Sequence, residues 1–140
     1  MGVMREGGYG IEKNLEKSAN WYLIAAEAGL PSAQFNLGIF YQLGQGVRKS
    51  TAEAFIWHNR AARQGHASAQ NNLATLYFTG EGIEEDSIEA WKWYDIAART
   101  LKGDARRIAI ENRDKVSRTL SDDERATAKR RANDFKAVRE

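Results

Sequence analysis

The sequence superimposes on itself when it is slid by 36 positions, and self-similarity at that period restricts a chain to stacked copies of one supersecondary unit. Ala33, Leu37, Tyr41, Gly44, Gly46 and Val47 land on Ala69, Leu73, Tyr77, Gly80, Gly82 and Ile83. Ala54, Trp57, Ala61 and Ala62 land on Ala90, Trp93, Ala97 and Ala98. Backwards, Gly8, Gly10, Ile11, Trp21, Ala25 and Ala26 hold the same register; forwards, Ala105 does. So many coincident tryptophans and glycines exclude chance.

Within each unit the spacing is helical. Ala33, Leu37, Phe40 and Tyr41 share one side of a 3.6-residue helix, which Gly44 ends. A second helix opens at Asn14, Ser50 or Asp86, three short side chains that can accept from free helical N–H groups. Ser50 with Glu53, and Asp86 with Glu89, have the spacing of a capping box. This second helix turns Ala54, Trp57 and Ala61 inward. Small residues let the pair approach closely, and Trp57, Trp93 and, by register, Trp21 fill the remaining gap. The connecting loops read Gly8-Tyr9-Gly10, Gly44-Gln45-Gly46 and Gly80-Glu81-Gly82, each followed by Ile or Val. Glycine supplies positive φ where the helix must stop and reverse, and the branched residue pins the loop to the core. Neither a dinucleotide fingerprint nor a Gly-Lys-Ser/Thr ending follows, so a loop repeated three times is architecture rather than a phosphate cradle.

Composition narrows the chemistry. At 140 residues the chain suits one domain with a core, hiding roughly two-thirds of its unfolded surface. It contains no Cys, which excludes disulfide frameworks, thiolate zinc sites, iron–sulfur clusters and cysteine nucleophiles. No apolar run approaches the roughly 20 residues that span a bilayer, so no membrane span is expected. The net charge of +2 implies no acidic partner, but its distribution is uneven. Residues 1–98 carry 8 basic and 11 acidic side chains, whereas residues 99–140 carry 13 and 8. The C-terminal third therefore differs in kind.

The string Ala33-x3-Leu37-Gly38-x2-Tyr41-x2-Gly44-x-Gly46-Val47-x6-Ala54-x2-Trp57-x3-Ala61-Ala62-x2-Gly65 resembles the Sel1-like repeat, a relative of the tetratricopeptide repeat, over about residues 1–105. The resemblance implies an all-α fold, a right-handed αα superhelix of helical hairpins, and a role as a non-catalytic adaptor that holds other proteins, with no cofactor. Many secreted relatives staple each repeat with a Cys pair; this chain departs from that branch. The units are expected as a partial repeat at 1–32, repeats at 33–68 and 69–104, and a terminal pair at 105–140. Leu101 stands where the register asks for glycine, and Gly103 comes two positions late. Ala105 to about Thr119 and about 122 to 138 then form the last two helices, the second opened by Ser121 with Glu124 and acting as a polar cap. Arg113-Asp114, Val116, Leu120-Ser121 and Glu124-Arg125-Ala126 resemble the tails of alphaproteobacterial members of the family, which leaves bacterial periplasm and cytoplasm both open. Because Met1 aligns with Leu37, inside a helix, the expectation is that the chain is the C-terminal part of a longer bacterial regulatory protein, or that a second copy covers its first helix by self-association.

In superhelices of this type the first helix of each unit lines the concave wall, so its side away from the second helix faces the groove. That stripe is Val3 and Glu6; Phe35, Ile39 and Gln42; Asn71, Thr75 and Phe78; Arg107, Glu111 and Asp114. Its large apolar members mark either a contact site for a partner protein or peptide, or packing against the neighbouring repeat. His58 is expected on the outward side of its helix and His66 in the turn that follows, with no partner at a metal-ligand spacing. Asp122-Asp123-Glu124 suits a helix dipole rather than acid chemistry. Lys129-Arg130-Arg131, with Arg125 and Lys136, could bind nucleic acid or an anionic surface, although acidic neighbours dilute it. A cell-wall-associated enzyme is a further alternative, but no nucleophile elbow or Ser-His-Asp set supports it.

Overall fold

The structure, a computed structural model, describes the backbone from residue 2 to residue 140 and the side chains from Lys13 onward. Among the described residues seven helices follow one another: α1 (Gly2–Glu27), α2 (Pro31–Leu43), α3 (Thr51–Arg63), α4 (Ala67–Thr79), α5 (Ser87–Thr100), α6 (Gly103–Ser117) and α7 (Asp122–Asp134). Among the described residues there is no strand. Each helix from α1 to α5 packs on the next, and α7 turns back onto α5, so the solenoid of hairpins α2/α3 and α4/α5 ends with α6 and α7 both against α5.

Alanine makes this stacking close. Ala54, Ala61, Ala62, Ala69, Ala74, Ala90 and Ala97 are fully buried, and Trp57, Trp93, Leu37 and Leu73 fill the space between them. Ser50 and Asp86 cap α3 and α5 by accepting from the N–H groups of Glu53 and Glu89 at 3.1 Å. The reciprocal bond of a full capping box forms at Ser121 and Glu124. Glu89 is otherwise engaged, by Lys92 at 3.2 Å and Arg131 at 3.4 Å.

The two glycines of each loop do different work. Gly44 (φ +68°) and Gly80 (φ +71°) are left-handed caps whose N–H groups return to the helix they end. Gly46 and Gly82 (φ +67° and +71°) lie against the helix one unit back, at Leu15 in the middle of α1 and at Thr51 in the first turn of α3.

Four expectations are corrected. The Gly8-Tyr9-Gly10 loop and the Asn14 cap do not form, because α1 is one helix from Gly2 to Glu27. At this register Arg5 stands where the later units have Tyr41 and Tyr77. Trp21, expected in the core, is 73% exposed. Its counterpart Trp57 is covered by Ala26, Ala33 and Leu37 of the preceding helices, and no such pair precedes Trp21 among the described residues. His58, expected outward, is fully buried. Finally, α7 stops at Asp134, and residues 135–140 run on without helix.

Candidate partner-binding surface

The stripe along α2, α4 and α6 divides into parts that pack and parts that remain open. Phe35 is half-buried, stacked on His66 at 4.7 Å between ring centres and tilted toward His58 at 5.6 Å. Phe78 is likewise partly covered by the core around Trp93. Ile39 and Gln42 are half-buried, and Asn71 keeps a buried Oδ1 without a hydrogen-bond partner. Thr75 is exposed, with its hydroxyl 2.6 Å from that of Tyr94. Arg107 and Glu111 are exposed and paired with each other at 3.0 Å. Asp114 is exposed too, and pairs with Arg113. Val3 and Glu6 lie outside the described side chains. Phe35, Gln42 and His58 are thus brought together by packing within one unit, while Arg107 and Glu111 stand free of the core.

His58 explains why Gly38 is glycine: a Cβ there would meet the imidazole at 2.6 Å. In the next unit Ala74 and Tyr94 occupy the same two positions. The His58 Nε2 bonds the Gln42 carbonyl oxygen at 2.8 Å, while Nδ1 is buried and unpaired. Burial, with a smaller contribution from His66, lowers its pKa to about 4. An unfolded His titrates near 6.5, so between these values the unfolded chain binds the proton and the folded chain does not. Stability should therefore fall as pH drops, by about 2 kcal/mol between pH 7 and 5. A His58→Gln variant followed by urea unfolding at both pH values should lose most of that slope; an unchanged slope would place the proton elsewhere.

A second recurring element escaped the sequence reading. Gln34 and Gln70 are buried polar residues whose Nε2 groups donate to the carbonyls of Ala26 and Ala62, both at 3.1 Å. In the terminal pair Arg106 replaces glutamine, and its Nε donates to Ala98 at 3.1 Å. Positions 34, 70 and 106 hence each donate to a carbonyl in the last turn of the preceding helix, which at Ala26 and Ala62 also accepts from the N–H of Gly29 and Gly65 at 3.0 Å. Only at Gln34 is this extended into a network. Gln64 Nε2 donates to the Gln34 Oε1 and to the Gly29 carbonyl, both at 2.9 Å. Gln34 also donates to Glu140 at 3.0 Å. Arg60 grips the same carboxylate through two nitrogens, at 2.6 and 3.1 Å, and holds it below the ordinary carboxylate range.

The Sel1 repeat model matches residues 1–30, 31–66 and 67–99 of this chain. The chain belongs to the Sel1 repeat family. Proteins built of Sel1 repeats are generally protein-interaction scaffolds, and the fold is typically non-catalytic. A protective antigen of uropathogenic Escherichia coli, c5321, which displays the same fold, superimposes with a TM-score of 0.82 and is 34% identical over 89% of this chain and 26% of its own. A Sel1 repeat protein from Oxalobacter formigenes gives 0.64 with 41% identity, over 74% of this chain and 43% of its own. The putative sel1-like repeat-containing protein L21 of Acanthamoeba polyphaga mimivirus is 44% identical over 41 residues, which are 29% of this chain and 8% of that protein. This chain therefore spans under half the length of each of these Sel1 relatives. No helix of the described residues is long and apolar enough to cross a membrane.

Proposed function

We propose that the chain is a non-catalytic adaptor that holds a segment of another protein along the stripe Phe35, Ile39, Gln42, Asn71, Thr75, Phe78, Arg107 and Glu111. The observation that supports this most is the recurrence of part-exposed or exposed side chains at the same register positions of α2, α4 and α6, ending in the open pair Arg107 and Glu111. Trp21, Leu30 and Pro31 line an apolar hollow at the other end, which a further repeat or a second copy would cover as Ala26, Ala33 and Leu37 cover Trp57.

A photo-crosslinking residue at Thr75 should join the partner in cell extracts, whereas the same residue at Ile56, exposed on α3, should not. Equal labelling from both positions, or none from Thr75, would overturn the stripe as the contact. Binding of nucleic acid through α7 draws less support, because two of its cations are already engaged. Arg125 donates to the carbonyls of Ser117 and Leu120 and to Asp122, and Arg131 to Glu89.

A further inference from the structure

Residues 135–140 are not helical, yet they are fixed at intervals along the edge where each unit turns into the next. Phe135 meets Trp93 edge-on at 5.2 Å. A Cβ on Gly65 would come within 3.2 Å of Ala137, and one on Gly29 within 3.1 Å of Glu140. The Val138 N–H donates to the Arg63 carbonyl at 3.0 Å, and the Glu140 N–H to the Gln64 side chain at 3.3 Å. Gly29 and Gly65 are the same position in consecutive units, so the segment advances three residues for each repeat it crosses. The match is geometric: three extended residues cover about 10 Å, close to the 8–10 Å typical between packed helices. The register glycine is missing at Leu101, where the approaching chain is still helical α7.

The edge also carries one charged socket. Arg60 and Gln34 donate to the Glu140 carboxylate, while the Gln64 Oε1 accepts from the Glu140 N–H. In the following unit Ile96 and Thr100 replace Arg60 and Gln64, and the Gln70 Oε1 is left buried without a partner. A structural strap alone would need no such singular anchor, since Phe135 and the main-chain bond already hold it.

We infer that this edge is a recognition track for extended peptides, read at three residues per repeat with a small residue over Gly65 and a carboxylate in the Arg60 socket, and that residues 135–140 occupy it in cis as a displaceable pseudo-ligand. The track is separate from the stripe on α2, α4 and α6, so it stands or falls independently of a contact at Thr75. A partner of this class carries an extended segment with a small residue three positions before a single carboxylate, and competes with the tail.

The test uses the full chain and a fluorescent synthetic peptide of sequence Phe-Lys-Ala-Val-Arg-Glu, followed by anisotropy. The V138P/E140K chain, which loses a main-chain bond and the anchoring carboxylate, should bind the peptide at least tenfold more tightly than the unaltered chain, whose own tail competes at high effective concentration. Adding R60A to that chain should abolish binding. One residue inserted between the alanine and the glutamate of the peptide should also abolish binding. If a variant melts early, trypsin cleavage after Lys136 in the full-length R60A chain serves instead, and release should speed it at least tenfold. Equal binding by the unaltered and V138P/E140K chains, no binding by the latter, indifference to the inserted residue, or unchanged cleavage would overturn the inference.

Discussion

Trp93→Ala is expected to lower the unfolding free energy by about 3–5 kcal/mol, and Trp21→Ala by less than about 1 kcal/mol. Both tryptophans hold the same repeat position, but Trp93 is 1% exposed and Trp21 is 73% exposed. Trp93 lies in the cluster that joins α4, α5 and α7, with Phe135 against its ring. Its indole N–H has no partner, so truncation strands no acceptor and the loss is one of packing. Since a solenoid's stability is a sum of unit and interface contributions, and a domain has only about 5–15 kcal/mol in all, the Trp93 variant should melt far below the parent. Urea unfolding followed by far-UV circular dichroism compares the two; similar losses from both would contradict burial that differs along the stack.

Gly46→Ala should cost about 3–5 kcal/mol, and Gly44→Ala about 1–2 kcal/mol. The two backbones are alike, with φ +67° and +68°, and each puts a side chain in the left-handed region at a cost of about 1–2 kcal/mol. Their surroundings differ. A Cβ at Gly44 meets the Lys49 Cβ at 3.1 Å, in an exposed loop that needs to give by only a few tenths of an ångström. A Cβ at Gly46 falls on the Leu15 carbonyl inside α1, and helix backbone yields only if α1 and α2 part. The difference between the two melts isolates that close approach, and equal destabilisation would show that backbone conformation alone selects the glycine.

Much of this could be read from the sequence because one hairpin is written repeatedly. Trp57 and Trp93, the caps at Ser50 and Asp86, and the loop glycines from Gly44 onward are local signals that the stacking then reinforces. The same signals at Gly8, Gly10 and Asn14 did not give a loop and lie inside α1, so a local signal at this period does not by itself make a turn. His58 was misplaced because its burial depends on the absence of a side chain at Gly38, a complementarity between helices that no periodicity carries. Gln34, Gln70 and Arg106 do recur at the repeat spacing, but differ in residue type, and only their common donation to a helix-end carbonyl unites them. The course of residues 135–140 has no local signal at all, because it depends on glycines more than 70 positions away.

That course ties the length of the tail to the number of hairpins. Duplicating a 36-residue block elsewhere in the gene would reproduce every joint unchanged, but a copy inserted between Arg60 and Trp93 would leave Glu140 one hairpin short of its socket. Three additional codons before Glu140 would be needed to reach it again. The tail is thus a gauge of copy number, and this stretch of the array can lengthen only if two distant segments of the gene change together.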